Sequence, residues 1–163
     1  MIRLSAIPAL AFPALLAACA TLPAEPSPVA GVPTGAASPE ATRVLDRDAL
    51  ARLIANKGVT LQWIDWNTRG TAHARWQGET LLLTGAQAKS GGGRLFLDGV
   101  VEEVGRDHFT FRGTIRIEDA PDPGRRCEAT KSWHFAVTQN RPYWRLREFE
   151  WCDGLTDYID IYF

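Results

Sequence analysis

Cys127 and Cys152 lie on either side of a turn signal at Gln139 to Pro142. Partners across a hairpin with that turn have residue numbers summing to about 279–283, and this pair fits. The spacing therefore predicts a disulfide between them, closing a loop of about 25 residues and stabilising the fold by about 3 kcal/mol. No C-x-x-C spacing points to dithiol redox chemistry. Converging imidazoles could hold zinc, and the chain has three histidines: His73, His108 and His134. Alternation puts each on the polar face of its strand, beside Arg75, Thr110 or Ser132, and no H-x-H or H-E-x-x-H spacing occurs. The expectation is solvated histidines and no metal. Carboxylates gather late, at Glu148, Glu150, Asp153, Asp157 and Asp160. Two of them could form the acid–base pair of a hydrolase. Charge balance against Arg141, Arg145 and Arg147 is the simpler role. Asp153 to Asp157 is too sparse for a calcium loop. Ser90-Gly91-Gly92-Gly93 lacks both the G-x-S-x-G pattern and a following helix, so it reads as a hairpin tip rather than a nucleophile elbow or phosphate cradle. No catalytic residue and no cofactor is expected.

Six tryptophans are present. Trp63, Trp76 and Trp133 fall on apolar strand faces and are expected in the core. Trp66 and Trp144 fall near strand ends or turns. An aromatic there can sit at a barrel mouth and touch a ligand or partner, so these two are the candidate contact residues.

The elements that must position these groups follow from pattern. The chain has 163 residues, 45% hydrophobic and 23% charged, with a net charge of −1. That is enough for one packed domain with appendages, and it gives no electrostatic pull on nucleic acid. The domain is expected over 44–163. Asp46 reads as a helix N-cap, with Leu45 and Leu50 as a staple, Leu50, Leu53 and Ile54 as the apolar stripe, and Gly58 as terminator. After it, apolar and polar residues alternate in short runs separated by turn signals, most clearly over His108 to Glu118. The fold class is mainly all-β: an antiparallel meander of about eight strands, closing into a small barrel, preceded by one short helix. Gly85, Gly99 and Gly113 suit the bends that closure needs.

The N-terminus sets the expected address. An uncharged run from Leu4 to Ala18 follows Arg3 and ends Leu16-Ala17-Ala18-Cys19. It is of signal-peptide length rather than membrane-spanning length. The ending resembles the lipobox of bacterial lipoproteins, which implies cleavage after residue 18 and a lipid on Cys19. Ala20, in place of Asp, implies the outer membrane by the sorting rule of such proteins. Residues 19–43, with Pro23, Pro26, Pro28, Pro33 and Pro39, read as a disordered linker.

A short helix with a small antiparallel barrel resembles the lipocalin and calycin architecture. Small lipidated barrels that inhibit lysozyme are similar in size and in having one disulfide. Leu61-Gln62-Trp63-Ile64 and the run from Cys152 to Phe163 resemble a group of uncharacterised lipoproteins of Gram-negative, alphaproteobacterial genomes. These readings lead to one expectation: a periplasm-facing, lipid-anchored, non-enzymatic binding module in the envelope, taking a protein partner or a small apolar ligand. The alternatives are an envelope structural subunit, a lysozyme-inhibitor-like protein and a carboxylate-dependent hydrolase. The terminal Ile159-Asp160-Ile161-Tyr162-Phe163 is also similar to the end signal of outer-membrane barrels.

Overall fold

A computed structural model describes residues 40–163. The lipobox with Cys19, the signal segment and the linker up to residue 39 lie outside the described residues. The elements are β1 (Arg43–Val44), α1 (Arg47–Ile54), β2 (Val59–Leu61), β3 (Thr71–Gln77), β4 (Thr80–Ala88), β5 (Arg94–Val104), β6 (His108–Glu118), β7 (Arg126–Ala136), β8 (Tyr143–Leu146) and β9 (Ile159–Tyr162). None of the described helices is long and apolar enough to cross a membrane.

Asp46 caps α1 as its type demands: its carboxylate accepts the Ala49 amide proton at 2.8 Å. The helix buries Ala49 and Leu53, an i, i+4 pair, while Ile54 of the expected stripe faces outward. Leu45 is exposed, so no staple with Leu50 forms.

The strands run antiparallel in the order β2-β9-β8-β7-β6-β5-β4-β3. Reciprocal bonds between Val59 and Gly70, the residue before β3, nearly close the ring: the Val59 amide donates to the Gly70 carbonyl at 3.2 Å and the Gly70 amide to the Val59 carbonyl at 2.8 Å. A Cβ at Gly70 would run into the Ala86 carbonyl, so only glycine lets the backbones meet here. Thr42 and β1 are ordered parts of this unit; β1 pairs in parallel with the end of β5.

Alternation fills the interior. Leu81, Leu83, Leu95, Val101, Phe109, Phe111, Ile115, Ile117, Trp133 and Phe135 point inward and are fully buried. Gly99 and Gly113 pair across β5 and β6, and the Phe111 ring lies over the space that side chains would take there.

Three tryptophans depart from expectation. Trp144 points into the core beside Leu146 and is fully buried; its ring meets Phe109 edge-on at 5.6 Å and Phe163 at 4.3 Å. It therefore presents no surface for a ligand. Trp63 and Trp76, expected inside, are 38% and 43% exposed. β2 ends at Leu61, so Trp63 lies past the ladder and escapes its alternation. Trp76 keeps the parity of buried Ala72 and Ala74 but sits at the hairpin end of β3, which has a neighbour on one side only.

Candidate functional site

The segment from Gln62 to Arg69, which joins β2 to β3, carries two outward tryptophans on a fixed frame. The frame is one buried amide. Gln87 of β4 accepts the Leu61 amide proton at 2.6 Å and donates to the carbonyls of Asp65 at 2.9 Å and Thr68 at 2.7 Å. Asp65 tightens the turn from within by accepting the amide protons of Asn67 and Thr68. Those two backbone donors hold its carboxyl below the usual carboxylate range.

Each tryptophan rests on one of two Arg–Asp pairs. The Trp63 indole N–H donates to Asp157 at 3.1 Å. Asp157, fully buried, also takes Arg125 in a two-pronged contact at 2.9 Å on each oxygen. Arg125 reaches Asp153 as well, at 2.8 and 2.7 Å. The hydrogen bonds from Arg125 hold the Asp153 carboxyl down at about 2. Trp66 lies over the second pair: the Arg145 guanidinium stands 5.7 Å from its ring centre. Arg145 forks onto Asp160 at 2.7 Å on both oxygens. That bond raises the Arg145 pKa and keeps the guanidinium charged. Burial pushes the Asp160 carboxyl upward against the pull of Arg145.

Local chemistry explains why these pairs exist. Asp160 lies on the outer face of β9, between Thr60 of β2 and Arg145 of β8 in register. Tyr143 and Tyr158 flank its partner Arg145, Tyr162 packs on Tyr143, and Asp160 is fully buried, so a carboxylate here has little water and needs the guanidinium. Asp157 belongs to the segment from Arg147 to Tyr158. The Cys127–Cys152 disulfide ties that segment to β7. The expected pairing is therefore present, although it joins a strand to a connecting segment rather than two strands, because β8 stops at Leu146.

The other candidate groups are placed as follows. His108 and His134 stack at 5.4 Å, and His108 contacts Glu103 at 3.2 Å. His73 is on β3, separated from β6 by β4 and β5, so the three imidazoles do not converge. Glu148 accepts the His134 amide proton at 3.0 Å, and Asp153, Asp157 and Asp160 are each held by an arginine. Ser90 to Gly93 line one wall of an open cleft of about 710 Å³, with Trp63, Arg94, Pro121 and Pro123 opposite. Sequence reasoning selected Trp66, which is 44% exposed, and set Arg145 among the cations balancing the late carboxylates, but it missed Trp63 as a surface residue and Arg125 as the partner of Asp157. The Asp65-Trp66-Asn67-Thr68 turn signal starts too soon after Leu61 for the β2 pattern to reach Trp63, and that was the available clue.

A model of the PM1083 family matches residues 41–163. The protein "Uncharacterized protein PM1083" of Pasteurella multocida (strain Pm70) is 33% identical over 114 residues, covering 69% of this chain and 74% of that protein. No solved structure matches the chain.

Proposed function

This chain belongs to the PM1083 family, and from that premise we propose that it is a lipid-anchored envelope protein acting as a non-enzymatic binding module. Cys19 in the lipobox-like Leu16-Ala17-Ala18-Cys19 carries the anchor, and the segment from Gln62 to Arg69 carries the contact surface. The outer membrane, facing the periplasm, is the proposed address. The calycin-like outline and the one disulfide support the comparison with small lipidated envelope barrels.

One observation carries the binding reading: two exposed tryptophans stand on rigid, already satisfied Arg–Asp pairs. Aromatic side chains held in this way contribute large contact area at small cost in conformational entropy. The position of Trp133, Trp144, Phe109, Phe111 and Phe135 along the barrel interior favours an external ligand over one inside.

The test uses the full chain in a Gram-negative host. Metabolic labelling with a tagged fatty acid should mark it, and Cys19→Ser should remove the label. Cross-linking in intact cells should yield a discrete adduct that Trp63→Ala and Trp66→Ala weaken and Trp76→Ala, at an equally exposed tryptophan elsewhere, does not. An adduct insensitive to both would overturn the assigned surface.

A further inference from the structure

Most arginines of the described barrel close an ion pair. Arg43 meets Glu103, Arg94 meets Glu118 and Asp119, Arg112 meets Glu102, and Arg125 meets Asp153 and Asp157. The outer face of β8 and β9 is different. Arg69 lies 4.0 Å above the Tyr162 ring, Arg141 donates to the Tyr143 hydroxyl at 3.0 Å, and Arg147 stands 5.8 Å from the Phe149 ring. None of these three has a carboxylate within 4.0 Å among the described residues. The one carboxylate at their centre, Asp160, is buried and already neutralised by Arg145.

The three cations belong to one surface. The Tyr143 and Tyr162 rings touch at 5.1 Å, Arg145 stands over Tyr158 at 4.1 Å and near Trp66, and Tyr158 meets Phe149 at 5.4 Å. Of the six described arginines with no carboxylate within 4.0 Å, Arg47, Arg52 and Arg75 lie on α1 and β3, and the other three gather on this one aromatic face. Tyr143, Tyr158 and Tyr162 are half-buried and lie against guanidinium groups, whereas Trp66, although Arg145 stands 5.7 Å from its ring centre, is 44% exposed and offers the one ring of this face with large exposure. A row of nucleobases would need several open rings. Membrane insertion would need several protruding aliphatic groups together; Val44, Leu45 and Ile54 are exposed on or beside β1 and α1, and the segment from Arg147 to Tyr158 exposes only Leu155.

We propose that this face binds an acidic glycan, with anionic groups on Arg69, Arg141 and Arg147 and a sugar ring against Trp66. The proposal rests on the reading of the Gln62 to Arg69 segment as a contact surface, and it names the ligand class. Guanidinium forks match carboxylate and phosphate oxygens alike, and one open indole sets the register.

The experiment titrates the full-length lipidated chain, in neutral detergent, with polygalacturonate, with uncharged dextran, and with phosphatidylglycerol mixed into the same micelles, following tryptophan fluorescence and heat. Polygalacturonate should bind and weaken with salt, and dextran should bind far less. The triple variant Arg69→Gln, Arg141→Gln, Arg147→Gln should lose about tenfold or more in affinity. The charge-matched variant Arg47→Gln, Arg75→Gln, Arg106→Gln, at three exposed arginines elsewhere, should not. Equal losses in both variants would show unspecific attraction and overturn the proposal. So would a response to phosphatidylglycerol in the micelles that is stronger than that to polygalacturonate and is lost in the triple variant. Equal, Trp66-dependent binding of dextran and polygalacturonate would overturn the acidic class and leave the contact surface standing. Loss of the cellular adduct's dependence on Trp63 and Trp66 would remove the surface itself.

Discussion

Trp63 and Arg125 grip the same buried carboxylate. The indole N–H of Trp63 and the Nη1 of Arg125 both donate to Oδ1 of Asp157, at 3.1 and 2.9 Å. Asp157 also draws its own segment in, since its amide donates to the Phe149 carbonyl at 2.6 Å. One residue thus joins the tryptophan-bearing loop, the start of β7 and the disulfide-tied segment. The surface proposed to bind is held in place by the same contact that stabilises this end of the fold.

Removing that carboxylate should cost more than removing the Trp63 donor. Asp157→Ala leaves the Arg125 charge, only 6% exposed, with the half-exposed Asp153 alone. A loss of about 3 kcal/mol is expected, because one half of a buried pair has been stranded. Trp63→Phe deletes one hydrogen bond to a charged group at the surface and should cost about 1 kcal/mol. Urea unfolding of both variants, followed by circular dichroism, checks the order. Equal losses would mean that Asp157 is not the hub.

Acid should weaken the fold in a defined window. Asp153 titrates at about 2 in the folded chain, against an ordinary 3.8, and Asp65 is also depressed. A depressed carboxylate contributes its stability above the unfolded value and loses it as pH falls through the folded one. The urea midpoint should therefore drop between about pH 4 and pH 2. Asp160 runs the other way, because burial raises it. A group that takes up its proton more readily when folded offsets part of the loss above the ordinary value. Asp153→Asn should flatten the low-pH limb; an unchanged profile would place the acid sensitivity elsewhere.

What was legible in the sequence follows from period and distance. β5, β6 and β7 obey strict alternation over long ladders, and Phe109, Phe111, Ile115 and Ile117 fall inside as read. Asp46 as N-cap is a local signal and holds. Trp63 misled because alternation has no meaning past the end of β2. Trp144 lies one residue inside β8, close behind the Gln139 to Pro142 turn, and its nearness to that turn hid an inward parity shared with Leu146. Arg125 with Asp157, and Arg145 with Asp160, are 32 and 15 residues apart in sequence. The late carboxylates were read against Arg141, Arg145 and Arg147, yet only register and chain path select which arginine meets which acid.

The disulfide matters for the segment it fastens. Its cysteines are 25 residues apart, so the chain-entropy argument gives about 3 kcal/mol. Cys127→Ala with Cys152→Ala should lower stability by that amount and also release Asp153 and Asp157 from their positions. Tryptophan emission should shift in that variant, and in the unsubstituted chain on reduction, while the far-ultraviolet spectrum, dominated by the β4–β7 ladders, stays. Loss of both signals together would show that the bond supports the whole barrel.

Gln87 should separate positioning from global stability. Its amide makes three bonds, and they are all to the backbone of Leu61, Asp65 and Thr68. Gln87→Ala strands the Leu61 amide proton at a fully buried residue, at a cost of about 2 kcal/mol. The Val59–Gly70 closure lies next to it and should loosen. Gln87→Glu keeps the acceptor for Leu61 but removes the donors to Asp65 and Thr68, so it should free the tryptophan loop in particular. Amide hydrogen exchange read across 59–70 tests this. Faster exchange confined to that stretch, with a weaker cross-linked adduct and an unchanged β5–β6 ladder, is the expected outcome. Exchange that rises evenly over the barrel would mean that Gln87 serves the core and that the loop keeps its shape by other means.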